Sequence, residues 1–135
     1  MIQIIKKESL CKVSTGTRKA LKCSNYPAEK SQHRFFKFLV CDWCWENKID
    51  FMTEVVFNNN QRADIVILDW KVAIEILNSE ERLTKTKHYP IPTIPIKIKG
   101  FPIDMIKKEI ELMLMDLQSC NGSNADYYIK KYGGV

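Results

Sequence analysis

The sequence predicts an α/β fold in which helices cover a mixed β-sheet. Three observations carry that expectation. The 135 residues suit one domain with one core, and 45% of them are apolar, enough to pack it. Between residues 52 and 77 three short runs rich in β-branched residues follow one another across turn-length gaps, the pattern of a hairpin-connected meander. Helical periodicity precedes this meander and returns twice after it with one more strand between, so the order is helix, three strands, helix, strand, helix.

Residues 1–26 form an N-terminal extension, with short strands expected at Met1 to Ile5 and Arg18 to Cys23 and the Ser14-Thr15-Gly16-Thr17 loop between them. Pro27 suits the first turn of a helix that runs to Asn47. Phe36, Leu39, Val40 and Trp43 share one face of it, and Lys30, Arg34 and Lys37 fall on the other. Met52 to Phe57 reads as a strand closed by the Asn58-Asn59-Asn60 turn, Ala63 to Leu68 as a second strand and Lys71 to Leu77 as a third. Asn78 or Ser79 can cap the next helix, with Glu80 and Glu81 favourably placed in its first turn; it runs to about His88 and stops at Pro90. Thr93 to Lys99 is the fourth strand, which Pro95 directs to an edge or an end and Gly100 breaks. Ile103, Ile106, Ile110, Met113, Leu114 and Leu117 then mark an amphipathic helix. From residue 119 to 135 the chain is polar and contains glycine, and a flexible tail is expected.

The formal net charge is +5, from 21 Lys+Arg against 16 Asp+Glu, an excess compatible with a nucleic-acid partner without demanding one. Lysines recur late, at Lys85, Lys87, Lys97, Lys99, Lys107, Lys108, Lys130 and Lys131, either as a solvated surface or as a groove that neutralises phosphates. In the tail, Tyr127-Tyr128-Ile129-Lys130-Lys131-Tyr132 alternates aromatic and basic groups; it could stack on unpaired bases or be a solvated or dimer-contacting arm. No run approaches bilayer length, and Met1-Ile2-Gln3-Ile4-Ile5-Lys6-Lys7 lacks the order of a secretion signal, so a cytoplasmic, intracellular protein without a membrane partner is expected. Five cysteines at irregular spacing argue against a secreted disulfide scaffold. Cys11, Cys23, Cys41 and Cys44 could make a zinc site, as in a zinc-stabilised interaction protein. Cys41 and Cys44, however, fall inside a helix and not on a turn, and the alternative is that they are small buried apolar residues.

The second and third strands carry the chemistry. If their hairpin is centred on Asp69 and Trp70, Leu68 pairs with Lys71, Ile67 with Val72, and the count continues outward to set Asp64 opposite Glu75; any symmetric loop about that centre gives the same result. Opposed side chains have Cβ atoms about 5 Å apart. Asp64 lies between Ala63 and Ile65, and Glu75 between Ile74 and Ile76. Two carboxylates facing each other among apolar neighbours repel and are costly to desolvate, and a hard divalent ion with oxygen ligands would hold them together. The alternatives are an edge position in water, in a purely structural module, or pairing of one carboxylate with Arg62 or a lysine.

These residues resemble a known family. Glu29-Lys30-Ser31-Gln32-His33-Arg34-Phe35-Phe36-Lys37, then Glu54, Arg62-Ala63-Asp64-Ile65-Val66, Ala73-Ile74-Glu75-Ile76, and Ser79-Glu80-Glu81-Arg82 up to Tyr89 are similar to the competence-protein CoiA-like nucleases of the PD-(D/E)XK superfamily. The resemblance covers about residues 29–99. It implies a restriction-endonuclease-like core of helix, three-strand meander, helix and strand, here with a further C-terminal helix. It also implies an Mg2+- or Mn2+-dependent deoxyribonuclease, with DNA as partner and a homodimer as the common assembly. Asp64 and Glu75 would be catalytic metal ligands, the Ile76 carbonyl would complete the site, and Glu29 would match the helix glutamate with His33 one turn on. The chain departs from the pattern at Leu77, where Lys or Gln is expected two residues after the glutamate. Leu77 shares a strand face with Glu75. Lys37 is the first candidate to supply the missing group, before Lys71, Lys85 and Lys87, and His33 could transfer a proton. Arg82, Lys85 and Lys87 would grip the DNA backbone. Leu77 also fits a degenerate nuclease fold that binds nucleic acid or a protein without cutting.

Overall fold

The computed structural model describes residues 13–18, 31–57, 59–77, 89–98 and 102–133. Its elements are β1 (Val13–Arg18), α1 (Ser31–Glu46), β2 (Phe51–Phe57), β3 (Arg62–Ile67), β4 (Val72–Leu77), β5 (Thr93–Lys97), α2 (Ile103–Ser119) and α3 (Ala125–Gly133). The five strands lie side by side in sequence order in one mixed sheet. β1 to β4 are antiparallel neighbours, and β5 joins β4 in parallel. The α/β architecture expected from the sequence is present.

The helices pack on one face of the sheet. Phe36, Val40, Cys41 and Cys44 of α1 and Ile106, Ile110, Met113, Leu114 and Leu117 of α2 meet Ile65, Ile67, Val72, Ile74, Ile76, Ile94 and Ile96 in the main core. Each aliphatic side chain fully buried here stabilises by about 1.5–3 kcal/mol. The opposite face carries a smaller cluster that includes Met52, Val55, Phe57, Val66, Leu68 and Ala73. β4, inside the sheet and covered on both faces, is buried at all its positions. β5 is an edge of the described sheet and holds Pro95, in keeping with a residue that cannot donate to a ladder.

Five details depart from the sequence reading. First, Ser14 to Thr17 belongs to a strand and not to a loop: β1 pairs with β2 through two irregular steps, so backbone pairing to a neighbour overrides the turn-like composition. The strands expected at Met1 to Ile5 and Arg18 to Cys23 fall, apart from Arg18, outside the described residues. Second, the buried face of α1 is rotated from the expected one. Cys41 and Cys44 are in the core, while Leu39 and Trp43 are half-buried at its margin. Third, Lys37, expected on the solvent side with Arg34, has no exposed surface. Fourth, the β3–β4 turn spans Leu68 to Lys71, with the Lys71 N–H bonded to the Leu68 carbonyl and Lys71 at φ 55. This four-residue loop replaces the two-residue turn at Asp69-Trp70 but keeps its centre.

Fifth, the C-terminal segment is not a flexible tail. α3 sets Ala125 and Tyr128 in the core with Ile129 and Tyr132 against it, an i, i+3, i+4, i+7 stripe. The Tyr128 hydroxyl donates to Asp116 of α2. The link from α2 turns at Gly122, at φ 79, where a Cβ would lie 2.5 Å from the Trp70 Cβ. The helix expected over residues 79–88 lies outside the described residues. Among the described residues, no helix is long and apolar enough to cross a membrane.

Candidate functional site

The β3–β4 ladder pairs Ile67 with Val72, Val66 with Ala73 and Ile65 with Ile74. One step further the same register sets Asp64 opposite Glu75, and here side chains take over from the ladder. The Asp64 N–H donates to Glu75 Oε1 at 2.6 Å, and the Ile76 N–H donates to Asp64 Oδ2 at 2.8 Å. Each carboxylate is therefore fixed by the other strand's backbone, and charge-assisted bonds of this kind are stronger than neutral ones. Glu75 is buried and Asp64 half-buried, so the pair sits at the margin of the core and not in bulk water.

A third carboxylate continues the row. β2 pairs Thr53 with Ile65 and Val55 with Ala63, which leaves Glu54 facing Asp64. Glu54, Asp64 and Glu75 thus occupy one line across three adjacent strands, which run about 4.8 Å apart. Glu54 is buried and holds φ 47, a left-handed conformation that costs a non-glycine residue about 1–3 kcal/mol.

The basic partners come from α1 and from β3. His33 and Lys37 are one turn apart on α1 and both reach the row. His33 Nε2 lies 3.2 Å from Asp64 Oδ2. Lys37 Nζ donates to Glu54 Oε2 at 3.0 Å, a buried ion pair. Arg62 Nη1 lies 3.4 Å from Glu54 Oε1, and about half of the Arg62 side chain remains in solvent. Tyr89 closes the site from the other side. Its hydroxyl donates to the Arg62 carbonyl at 3.0 Å. Burial, then the charge and hydrogen bond of Glu75 and the charge of Asp64, push the Tyr89 phenol well above its ordinary range.

Of the residues expected from sequence, Asp64 meets Glu75 through the strand backbones and His33 through its side chain, Lys37 bonds the neighbouring Glu54, and Ile76 takes part through its N–H. Glu29, Arg82, Lys85 and Lys87 lie outside the described residues, as do Cys11 and Cys23. Leu77 is buried in β4, with its carbonyl bonded to the Ile98 N–H of the strand edge beyond. Lys71 stands at the turn end of the β3–β4 hairpin, four residues along the strand from Glu75 and so about 13 Å from it. It is too far to stand in for a lysine at Leu77. Three site residues were not assigned from sequence: Glu54, Arg62 and Tyr89. For Glu54 the signal existed, because counting outward from Asn59 at the centre of the Asn58–Asn60 turn sets residue 54 against residue 64.

Asp64 and Glu75 bring the oxygen donors that Mg2+ or Mn2+ takes. Among the described residues, however, no group of three or more His, Cys, Asp or Glu side chains is arranged to hold a metal ion. The fit is two carboxylates, with any further protein donor left to come from elsewhere in the chain. Cys41 and Cys44 are buried, and the other two cysteines of the expected zinc site, Cys11 and Cys23, are not among the described residues. Burial first, then Cys41 and Asp69, push the Cys44 thiol far above its ordinary value. Comparison with family models, with curated proteins and with solved structures finds no match for this chain.

Proposed function

We propose that this chain is a metal-dependent deoxyribonuclease of the PD-(D/E)XK type that hydrolyses phosphodiester bonds by endonucleolytic or exonucleolytic attack. The observation that carries the reading is the meeting of Asp64 and Glu75 across β3 and β4, each held by the other strand's backbone. The element order supports it: a helix, an antiparallel three-strand meander, and a fourth strand parallel to the third. A divalent ion held by the two carboxylates would supply Lewis acidity for a phosphate oxygen and an activated water. The chain's own groups do the rest. His33, bonded to Asp64, can take up or return a proton at Nε2. Tyr89, bonded to Glu75, limits the freedom of that carboxylate.

The test is cleavage of plasmid and oligonucleotide DNA with Mg2+ or Mn2+. Asp64→Ala and Glu75→Ala should each lower the rate by at least about a hundredfold. Cleavage that survives both substitutions would end the reading.

A second reading is favoured by one observation: Leu77 fills the place of the expected polar residue and is buried. On that reading the chain is a degenerate nuclease fold that binds nucleic acid or a protein without cutting. DNA affinity without product in the same assay distinguishes it.

A further inference from the structure

We propose that Glu54 is a positioning residue of the Asp64–Glu75 site, which holds the Arg62 guanidinium against a DNA phosphate and is itself anchored by the buried Lys37. The inference rests on the nuclease reading above and goes beyond it in naming the phosphate contact and the residue that aims it.

Three features converge on Glu54. It holds a left-handed φ of 47 at the irregular step where β2 slips against β1, a backbone distortion of the kind found beside active sites. It forms a buried ion pair with Lys37, although an apolar pair of the same size would pack there with less desolvation cost. It faces Asp64 in the carboxylate row. Strain and a buried charge pair at one residue are what a site demands and what a core avoids.

The division of labour follows from exposure. Lys37 has no exposed surface, so it cannot touch a substrate. Arg62 has about half of its side chain in water, and its planar fork has donors to spare once Nη1 is engaged. Glu54 gives one oxygen to each cation. The Arg62 backbone is fixed as well, through the Tyr89 hydroxyl on its carbonyl. Glu54, Lys37 and Arg62 together carry one net positive charge beside the two negative charges of Asp64 and Glu75. A phosphate drawn to the pair would meet the guanidinium at the neighbouring strand, where paired N–H donors suit its oxygens.

Electrostatics alone and positioning make opposite forecasts. Loss of a negative charge at Glu54 should leave DNA binding unchanged or tighter, whereas loss of positioning should slow cleavage. The experiment measures kcat and KM for an oligonucleotide duplex with Mn2+, and DNA affinity against salt with Ca2+. Glu54→Gln leaves Lys37 buried without its partner, so the decisive variant is the double Lys37→Met, Glu54→Leu, which replaces the ion pair by apolar groups of similar size. We expect this double variant, which leaves the net charge unchanged, to fold, to keep wild-type DNA affinity, and to lose kcat by about tenfold to a hundredfold with little change in KM. Arg62→Gln should show the same loss and flatten the salt dependence by about one phosphate contact, and Arg62→Lys should restore the salt dependence but only part of the rate. A folded double variant that cleaves at the wild-type rate, or an unaffected kcat in Arg62→Gln, overturns the inference while wild-type cleavage leaves the nuclease reading standing. Absence of Mg2+- or Mn2+-dependent cleavage by the wild-type protein overturns that reading and the inference with it.

Discussion

Lys37 and Cys44 lie on the same buried side of α1, one as a charge and one as a thiol, and their surroundings treat them differently. Lys37 is met by the Glu54 carboxylate at 3.0 Å, so its charge is compensated. Removing Glu54 alone should therefore cost about 3–5 kcal/mol, mostly from the uncompensated ammonium, and thermal unfolding of Glu54→Gln checks this. Cys44 has a neighbouring thiol and Asp69 instead, and its proton is held well above the ordinary thiol range. The stability that goes with a raised thiol is present below the unfolded value near 9 and is lost as pH climbs beyond it. In the native protein at pH 8, iodoacetamide should label the exposed Cys120 at least about tenfold faster than Cys41 or Cys44, as read by peptide mapping. Equal rates would contradict the burial. The sequence spacing showed that Cys41 and Cys44 fall within a helix. It could not show that Lys37 is buried, because that depends on a carboxylate from a strand 17 residues away.

At the scale of elements, α3 and the turn before it are the clearest case of structure hidden by composition. The segment reads as polar and loose because Asn121-Gly122-Ser123-Asn124 stands at its head, yet Ala125, Tyr128, Ile129 and Tyr132 place a stripe on the core. Gly122 makes the approach possible: it has φ 79, and any side chain there would collide with Trp70. Gly122→Ala should destabilise by about 1–3 kcal/mol in denaturant unfolding. Tyr128 anchors the helix through its ring and through its bond to Asp116. Burial, then Asp116, with Tyr132 and Tyr127 adding less, push its phenol far above the ordinary value of 10. Stability from that bond is fully present below pH 10 and lost at higher pH, so Tyr128→Phe should unfold less steeply with pH above 10 than the wild type. By contrast, the register of β3 against β4 was legible in advance, because a symmetric loop of two or four residues about one centre gives the same pairs.

Across the whole molecule, three carboxylates stand side by side on β2, β3 and β4; Glu54 and Asp64 meet Lys37 and His33 of a single helix, and Glu75 meets Tyr89. The +5 net charge and the Arg62 guanidinium beside the row suit a polyanion, so DNA affinity should fall linearly on a log–log plot against salt. Neighbouring hairpins made Asp64 and Glu75 legible from sequence, and could have made Glu54 so. Arg62 and Tyr89 were not, because their roles depend on which carboxylate each meets in three dimensions. The most direct test of the central claim is a crystal structure with Mn2+, using its anomalous signal. The account predicts one peak between Asp64 and Glu75, about 2–2.5 Å from an oxygen of each, with the Ile76 and Asp64 N–H groups released or shared. A saturating concentration that leaves no peak there, with both carboxylates still seated on those backbone donors, would contradict it.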